Sequence, residues 1–315
     1  IDRHPDPLKK LVQVGLESMG WQIYKVSFDS LNELDLVPLE EVDAVLLAPA
    51  RRIPPRHMDR LSDCKIMQIW SSGYDKFNIE DAHRRKIPVA NNHGSNAVSV
   101  AEHTILMMLG VSRRAPEMHN RVIHGNWEGN DHGMSSYSLA GKTLGIVGMG
   151  NIGTKVAQRA DALGMRIVFA DPAVTSKSIS RWERISFRQL LFESDYISFH
   201  VHLTEKTKSM INSKNLSLLK RRPFLINVSR AELIEEGALL DGLASGQIRG
   251  AAMDAHYVEP NDSHNPFFQL PNVFVSPHVA GSTVDSYTDT IEFCIRNISS
   301  AIKGQGFLGS ITPAN

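Results

Sequence analysis

The stretch LGIVGMGNIG, residues 144–153, joins an apolar strand to the start of a helix. It contains the pattern G-x-G-x-x-G, formed by Gly148, Gly150 and Gly153 with Asn151 and Ile152 between the last two glycines. The first glycine allows a tight turn, the second lets a backbone approach a pyrophosphate, and the third lets the helix pack on the strand. Helix N-termini offer N–H donors and a positive dipole end to phosphates. The stretch therefore predicts a dinucleotide-binding turn.

The next apolar segment, RIVFAD, ends at Asp171, close to the expected separation of about 20 residues from the glycines. A carboxylate at this point can bind the ribose hydroxyls of an adenosine. The alternative is a plain glycine turn beside a solvent-facing aspartate, but the strand–turn–helix–strand context favours the dinucleotide. A carboxylate would repel a 2′-phosphate, which favours NAD(H) over NADP(H). Lys177 and Arg181 lie near enough in sequence to keep NADP(H) as the less favoured alternative.

Apolar strands alternate with helix-like segments along the whole chain, which predicts parallel βαβ units. We expect an α/β protein with two doubly wound, parallel-sheet domains, Rossmann- or flavodoxin-like, with the dinucleotide-binding domain inserted into the substrate domain. The predicted strands of the first part are IYKVSF, AVLLAP, KIMQIW and IPVAN. Those of the second part are LGIVGMG, RIVFAD, YISFHV, FLINVS, GAAMDA and VFVSP.

The expected domain boundaries lie near residues 94 and 283. Residues 1–94 and 283–315 would form the substrate domain, and 95–282 the dinucleotide-binding domain. A long helix is predicted over 95–114. It is apolar nearly all round, with Val98, Ala101, Ile105 and Met108 on one face, so it is expected to be buried. Residues 115–140 are polar and predict a loop or arm rather than core.

Composition excludes several classes of protein. The 315 residues are 42% hydrophobic and 22% charged, with 34 basic and 34 acidic residues. Zero net charge without a basic block argues against nucleic-acid and membrane-surface partners. No apolar run reaches the roughly 20 residues of a membrane span, and no signal peptide is visible. Two isolated cysteines, Cys64 and Cys294, predict a reducing, cytoplasmic environment and no metal site.

Polar residues follow several predicted strands. In open α/β sheets, ligands bind outside the carboxyl ends of the strands. Arg230, Glu259 and His278 each have an ordinary explanation alone: a surface arginine, a solvated acid and a structural histidine. At one sheet edge they form a set of anion binder, acid and imidazole, which is what reversible carbonyl reduction requires. The residues at the strand ends are His200 and His202, Ser229 and Arg230, Asp254 to Glu259, and His278.

The chain resembles the D-isomer-specific 2-hydroxyacid dehydrogenase family over almost its full length. The matching stretches are SSGYDKFNIEDAHRRKIPVANN, NAVSVAEHTILMML, LAGKTLGIVGMGNIG, LTEKTKSMIN, LINVSRAELIEEGAL, MDAHYVEP and VSPHVAGST. The resemblance implies a catalytic triad of Arg230, Glu259 and His278. It also implies that the amides of Ser72 and Gly73, with Arg230, bind the substrate carboxylate, and that Asp254 contacts the nicotinamide carboxamide.

The cofactor contacts implied by the resemblance come from the second part of the chain. They are Thr104, Gly148, Gly150, Asn151, Ile152, Gly153, Asp171, His200, Val228, Ser229, Asp254, His278 and Gly281.

Some positions depart from the family pattern. Ala231 and His202 replace a common glycine and proline, and His93 stands on the substrate side, where it could alter specificity. Formate dehydrogenases of the superfamily carry glutamine in place of the acid, so Glu259 argues against that activity. Phosphoglycerate-specific relatives place an arginine where this chain has Ala48, with Arg51 and Arg52 a few residues later. The particular 2-hydroxy acid is therefore left open.

The sequence thus predicts an NAD(H)-dependent reductase of 2-oxo acids, or dehydrogenase of D-2-hydroxy acids. His278 would donate the proton, Glu259 would orient the ring of His278, and Arg230 would bind the substrate. The alternative is an NAD(H)-sensing, corepressor-like binding protein, which could keep the same triad. The arm around Trp127 favours a homodimer.

Overall fold

The computed structural model describes residues 6–26, 31–48, 52–127, 130–174 and 181–312. The chain forms two compact units. The first comprises Ile1–Asn96 and Ser282–Asn315, and the second, Ala97–Gly281, interrupts it. Each unit contains its own β-sheet. The predicted α/β class with two parallel-sheet units is confirmed.

The first unit is built on a small sheet with helices α1 Asp6–Glu17, α2 Pro55–Met58, α3 Ile79–Arg84 and α9 Val284–Ile302. Its strands, numbered along the chain, are β1 Ala44–Leu47, β2 Ile66–Ile69, β3 Val89–Ala90 and β11 Ser310–Ile311. Strands β1, β2 and β3 are parallel neighbours in that order, and β11 pairs antiparallel with β3. The prediction of a strand at 23–28 is wrong for residues 23–26, which pair with no strand of the sheet. Residues 27–28 lie outside the described residues.

Buried amides join the two segments of the first unit. Asn297, on α9, donates from Nδ2 to Gln68 Oε1 at 2.7 Å and to the Leu308 carbonyl at 3.0 Å. The Leu308 N–H in turn donates to Asn297 Oδ1 at 2.8 Å. Asn297 and Gln68 are both buried, so their polar groups need these partners. The carboxyl-terminal segment is therefore part of the first unit's core.

The second unit is a seven-stranded sheet in which all neighbouring strands are parallel. The strands are β4 Thr143–Val147, β5 Arg166–Ala170, β6 Glu183–Arg184, β7 Tyr196–Phe199, β8 Phe224–Asn227, β9 Gly250–Met253 and β10 Val273–Val275. Their order in the sheet is β10-β9-β8-β7-β4-β5-β6. The order reverses at β4, so the sheet is doubly wound and its switch point lies between β4 and β7. All six strands predicted here are present, whereas the short β6 was not predicted.

The helices of the second unit are α4 Ala97–Arg113, α5 Ala115–Ile123, α6 Asn151–Ala162, α7 Phe187–Glu193 and α8 Glu236–Ala244. They cover both faces of this sheet, apart from α5, which has no buried residue. One apolar cluster joins strand residues such as Ile146 to α4 and α6, and the other joins residues such as Val147 to α7 and α8. Burial on both faces explains why these strands are continuous apolar runs rather than alternating ones.

Two predictions about helices in the second unit are wrong. Helix α4 is not buried all round, because Val98, Leu106 and Leu109 are 45%, 53% and 40% exposed. Its buried face instead runs through positions such as Val100 and Met107. Part of the segment predicted as a loop, Ala115–Ile123, is the helix α5, which starts with a proline in its first turn. Hydrophobic patterning misses it because none of its residues is buried.

Both cysteines are unpaired thiols within the first unit. Burial raises the pKa of Cys64 to about 11 and that of Cys294 to about 12, so both remain protonated at neutral pH. Within the described part of the chain, no helix is long and apolar enough to span a bilayer.

Candidate active site

The glycine turn joins β4 to α6 at the switch point of the larger sheet. Gly148 has φ +92°, and a Cβ there would lie 2.5 Å from the His200 carbonyl oxygen. A Cβ on Gly153 would overlap the Gly148 carbonyl oxygen. A Cβ on Gly150, in contrast, would meet nothing within 4 Å. Packing thus requires the outer glycines, while the middle one faces open space beside the positive end of α6, as a pyrophosphate site needs.

Asp171, after β5, is attached to the same turn. Its Oδ2 accepts the Met149 N–H at 2.8 Å, and its Oδ1 accepts the N–H groups of Ala173 and Val174 at 2.8 and 3.2 Å. Carboxylate oxygens have further acceptor capacity, so ribose hydroxyls could still bind here. The Arg181 guanidinium pairs with Asp161 instead. Lys177 lies outside the described residues.

His200, Val228 and Ser229 follow the adjacent strands β7 and β8. Ser229 Oγ donates to the Phe199 carbonyl at 2.8 Å, which ties the ends of the two strands together. Val228 is buried. His200 Nε2 lies 2.8 Å from Ser198 Oγ, and burial lowers the pKa of His200 to about 3. The ring is therefore neutral at physiological pH.

Arg230 is held at the end of β8 by the buried Asn227. The Asn227 Nδ2 donates to the Arg230 carbonyl at 2.8 Å, and its Oδ1 accepts the Ser229 N–H at 3.1 Å. One guanidinium nitrogen of Arg230 also donates to the Ser229 carbonyl at 2.8 Å. The side chain is half-buried, so part of the guanidinium can reach a ligand.

Glu259 and His278 are in direct contact. His278 Nδ1 lies 2.9 Å from Glu259 Oε1 and 3.0 Å from Oε2. Their side chains are 29% and 42% exposed, respectively. The two residues follow β9 and β10, and Arg230 follows β8, which is the next strand in the sheet. All three therefore lie at one edge of the sheet, and the predicted acid and imidazole are paired.

Asp254 holds the turn that carries His278. Its carboxylate is fully buried and accepts the Ser276 hydroxyl at 2.6 Å and the N–H groups of Val279 and Ala280 at 2.9 and 2.8 Å. His103 Nε2, on α4, lies 2.9 Å from Ser276 Oγ and 3.6 Å from Asp254 Oδ1. Contact of Asp254 with the nicotinamide carboxamide stays a prediction.

Two other predicted cofactor contacts have different surroundings. Thr104 is fully buried on α4 and its hydroxyl donates to the Val100 carbonyl at 2.7 Å, so its hydrogen is already in use within the helix. Gly281 is half-buried and follows Ala280 directly, at the end of the turn fixed by Asp254. A role in cofactor binding stays a prediction for both residues.

The predicted carboxylate-binding loop lies in the first unit. Ser72 Oγ donates to Asn92 Oδ1 at 2.6 Å and lies 2.9 Å from Asn96 Oδ1, while Asn91 Nδ2 donates to the Ser72 carbonyl at 2.9 Å. Among the described residues, no acceptor receives the backbone N–H of Ser72 or Gly73. A carboxylate can use such a pair of amides.

Near this loop, His93 has φ +51° and its ring stacks on Phe293 with centroids 6.2 Å apart. Arg52 donates from Nε to the Lys76 carbonyl at 2.9 Å. Arg51 lies outside the described residues.

Sequence reasoning assigned no role to the residues that hold the predicted ones in place. They are His103, Asn227, His256 and Ser276. Asn227 and Ser276 could have been found, because each is a polar residue at the end of an apolar strand. His103 and His256 act through contacts with residues far along the chain, which spacing does not reveal.

The site defines a dinucleotide-dependent oxidoreductase. It combines a doubly wound sheet with this glycine turn, an acidic residue after the second strand, and a histidine–glutamate pair at the same edge.

Residues 105–280 match the family model for the D-isomer specific 2-hydroxyacid dehydrogenase, NAD binding domain. The chain is 34% identical to a glyoxylate reductase from Thermococcus litoralis over 277 residues, covering 86% of this chain and 83% of that protein. It is 31% identical to a hydroxypyruvate reductase from Thermotoga maritima, covering 89% and 91% of the two chains.

A solved structure of an NAD-dependent formate dehydrogenase from Staphylococcus aureus, in complex with NAD, superimposes with a TM-score of 0.82. It is 25% identical and covers 98% of this chain and 94% of that one. The chain belongs to the D-isomer-specific 2-hydroxyacid dehydrogenase family. It is an NAD-dependent enzyme, so the predicted family, cofactor and enzyme class are confirmed and the corepressor-like alternative is not favoured.

The carboxylate of Asp171 should set the preference for NADH over NADPH. We expect Asp171→Ala to weaken NADH binding about tenfold, because the hydrogen bond from a ribose hydroxyl to the charged carboxylate is lost. NADPH binding should weaken less. Fluorescence titration with each nucleotide measures both dissociation constants. Asp241→Ala, which removes an exposed carboxylate from α8 in the same unit, should change neither. An unchanged ratio of the two constants in Asp171→Ala would remove this residue from cofactor selection.

Proposed function

We propose that this protein reduces small 2-oxo acids to D-2-hydroxy acids with NADH. The contact between Glu259 and Nδ1 of His278 supports this most strongly, because it leaves the other ring nitrogen, Nε2, for the substrate. The names of the similar reductases make glyoxylate and hydroxypyruvate the first substrates to test.

Each unit is assigned its own role. The first unit would serve as the substrate domain, with the N–H groups of Ser72 and Gly73 donating to the carboxylate. The second would serve as the dinucleotide-binding domain. Arg230 would bind the carboxylate and the carbonyl oxygen, since a guanidinium stays charged and presents several donors in one plane.

Proton transfer is assigned to His278. NADH, when bound, supplies the hydride that the carbonyl carbon accepts. His278 donates a proton from Nε2 to the carbonyl oxygen as negative charge develops there. Glu259 accepts a hydrogen bond from Nδ1, which orients the ring and stabilises its charged form. In the oxidative direction the neutral ring accepts the proton from the hydroxyl.

Replacing His278 should abolish most turnover without affecting the cofactor. We expect His278→Gln to lower kcat by about 10²–10⁴, the usual contribution of general acid–base catalysis, while the NADH dissociation constant stays within about twofold. NADH oxidation with glyoxylate, pyruvate, hydroxypyruvate and phenylpyruvate measures turnover. The matched control is His264→Gln, because His264 is 92% exposed. Turnover that survives in His278→Gln, or wild-type protein that reduces none of these acids, would refute the proposal.

Replacing Glu259 should change the pH dependence. Reduction needs a protonated His278, so activity is present at low pH and lost as pH rises. The carboxylate favours the charged ring, and its removal should move this loss to lower pH. We expect the kcat/KM profile of Glu259→Gln to fall at lower pH than that of the wild type, measured by initial rates across a pH series. A profile that falls at the wild-type pH would exclude Glu259 from this role.

The cellular environment is inferred from the two cysteines. Both are unpaired, buried thiols, which supports a reducing compartment and therefore the cytoplasm.

We also propose a homodimer formed through α4. Val98, Leu106 and Leu109 expose an apolar strip on this helix, and Val122 and Ile123 on α5 are also exposed. Two-fold pairing covers the same strip on both chains at once.

Leu106→Glu should therefore convert a dimer to a monomer in light scattering after size exclusion. Phe192→Glu, at a side chain 53% exposed on α7, should leave the mass unchanged. A monomeric wild type would contradict the dimer.

A further inference from the structure

Two loops carry the paired residues of the site. Glu259 lies in the loop after β9, and His278 lies in the turn after β10. Neither residue belongs to a helix or strand, and both side chains are partly exposed. Packing alone therefore does not determine how Glu259 meets His278. Hydrogen bonds within and between the loops must do so.

His256 makes hydrogen bonds to both loops. Its backbone N–H donates to Glu259 Oε1 at 3.0 Å, which aims the carboxylate. Its ring nitrogen Nε2 lies 2.8 Å from the Ser276 carbonyl oxygen. A carbonyl oxygen only accepts, so Nε2 carries the hydrogen and donates it. One residue thus connects the position of Glu259 to the turn of His278.

The Ser276 carbonyl is also bound to His278 itself. It accepts the His278 backbone N–H at 3.0 Å, so the His256 ring and the His278 backbone share one acceptor. His278 has φ +57°, a left-handed conformation that is unfavourable in a residue with a side chain. Asp254 holds the turn through Val279 and Ala280, and His256 holds it through the Ser276 carbonyl.

The His256 ring is itself supported. The Phe268 ring meets it edge-on, with centroids 6.4 Å apart and planes at 85°. Within the described ranges, three further titratable groups have a contact with this turn. Glu259 contacts His278, Asp254 contacts Ser276, Val279 and Ala280, and His103 lies beside Ser276. The His256 ring contacts the turn through the carbonyl oxygen of Ser276.

We propose that His256 is a positioning residue for the acid–base pair. By donating to the Ser276 carbonyl, its ring keeps Nδ1 of His278 within hydrogen-bond distance of Glu259. The inference rests on the proposed function, in which Glu259 keeps His278 charged. Every substitution except proline retains the backbone N–H of residue 256, so the side-chain variants below test the ring alone.

A pair of variants separates the donor from the ring. His256→Phe keeps an aromatic ring against Phe268 but has no donor, whereas His256→Gln retains an N–H at the end of its side chain. We expect His256→Phe to lower kcat about tenfold and to move the alkaline limb of the kcat/KM profile to lower pH, with unchanged NADH binding. His256→Gln should restore most of both. The control His264→Phe should match wild type.

The double variant tests whether the ring acts through Glu259. In the Glu259→Gln background, His256→Phe should produce no further shift of the alkaline limb, because the carboxylate it positions is gone. An equal loss of activity at every pH, without rescue by His256→Gln, would show a merely structural role and overturn the inference. Thermal unfolding identifies any variant that fails to fold. If His256→Phe does not fold, the pH profile of His256→Gln tests the positioning role in its place.

The two proposals fail in different ways. If wild type has no turnover, the proposed function is wrong, and if Glu259→Gln leaves the pH profile unchanged, the role assigned to Glu259 within that function is wrong. If those variants behave as expected and His256→Phe matches wild type, only the positioning role of His256 is wrong.

Discussion

All strands of the larger sheet run in the same direction, and this constraint brings residues from distant parts of the chain to one edge. Parallel strands need a crossover between them, so their carboxyl ends meet while the connecting helices lie on the faces. Arg230, Glu259 and His278 follow β8, β9 and β10, which are adjacent in the sheet. The glycine turn follows β4 at the same edge. The common direction of the strands is therefore what brings these side chains to one edge.

The sheet brings the strand ends together, but hydrogen bonds determine the loops that follow them. His278 has a left-handed backbone, and the buried carboxylate of Asp254 offsets that cost through its bonds to Ser276, Val279 and Ala280. Bonds to a charged group each contribute about 1.5–3 kcal/mol, so they outweigh strain of about 1–2 kcal/mol. The same donors stabilise a charge that burial would otherwise penalise.

The sequence was informative where local chemistry decides the structure. The glycine turn, Asp171 and the six main strands of the second unit could be predicted because each depends on spacing and burial of neighbouring residues. Helix α5 could not, since none of its residues is buried and no apolar stripe marks it. The exposed side of α4 was missed because an apolar side chain such as Leu106 does not reveal whether anything covers it. His256 was missed because its partner, Ser276, is reached only after folding.

The first unit is assembled from both ends of the chain, and this affects how the protein is made. Strand β11 pairs with β3, and Asn297 bonds to Gln68, so residues near the carboxyl terminus complete a core begun near the amino terminus. A ribosome synthesises these residues after the whole second unit. The second unit, which is continuous in sequence, can fold while synthesis proceeds, as domains generally do. The earlier half of the first unit must wait for residues 284–311 to be synthesised before its sheet is whole.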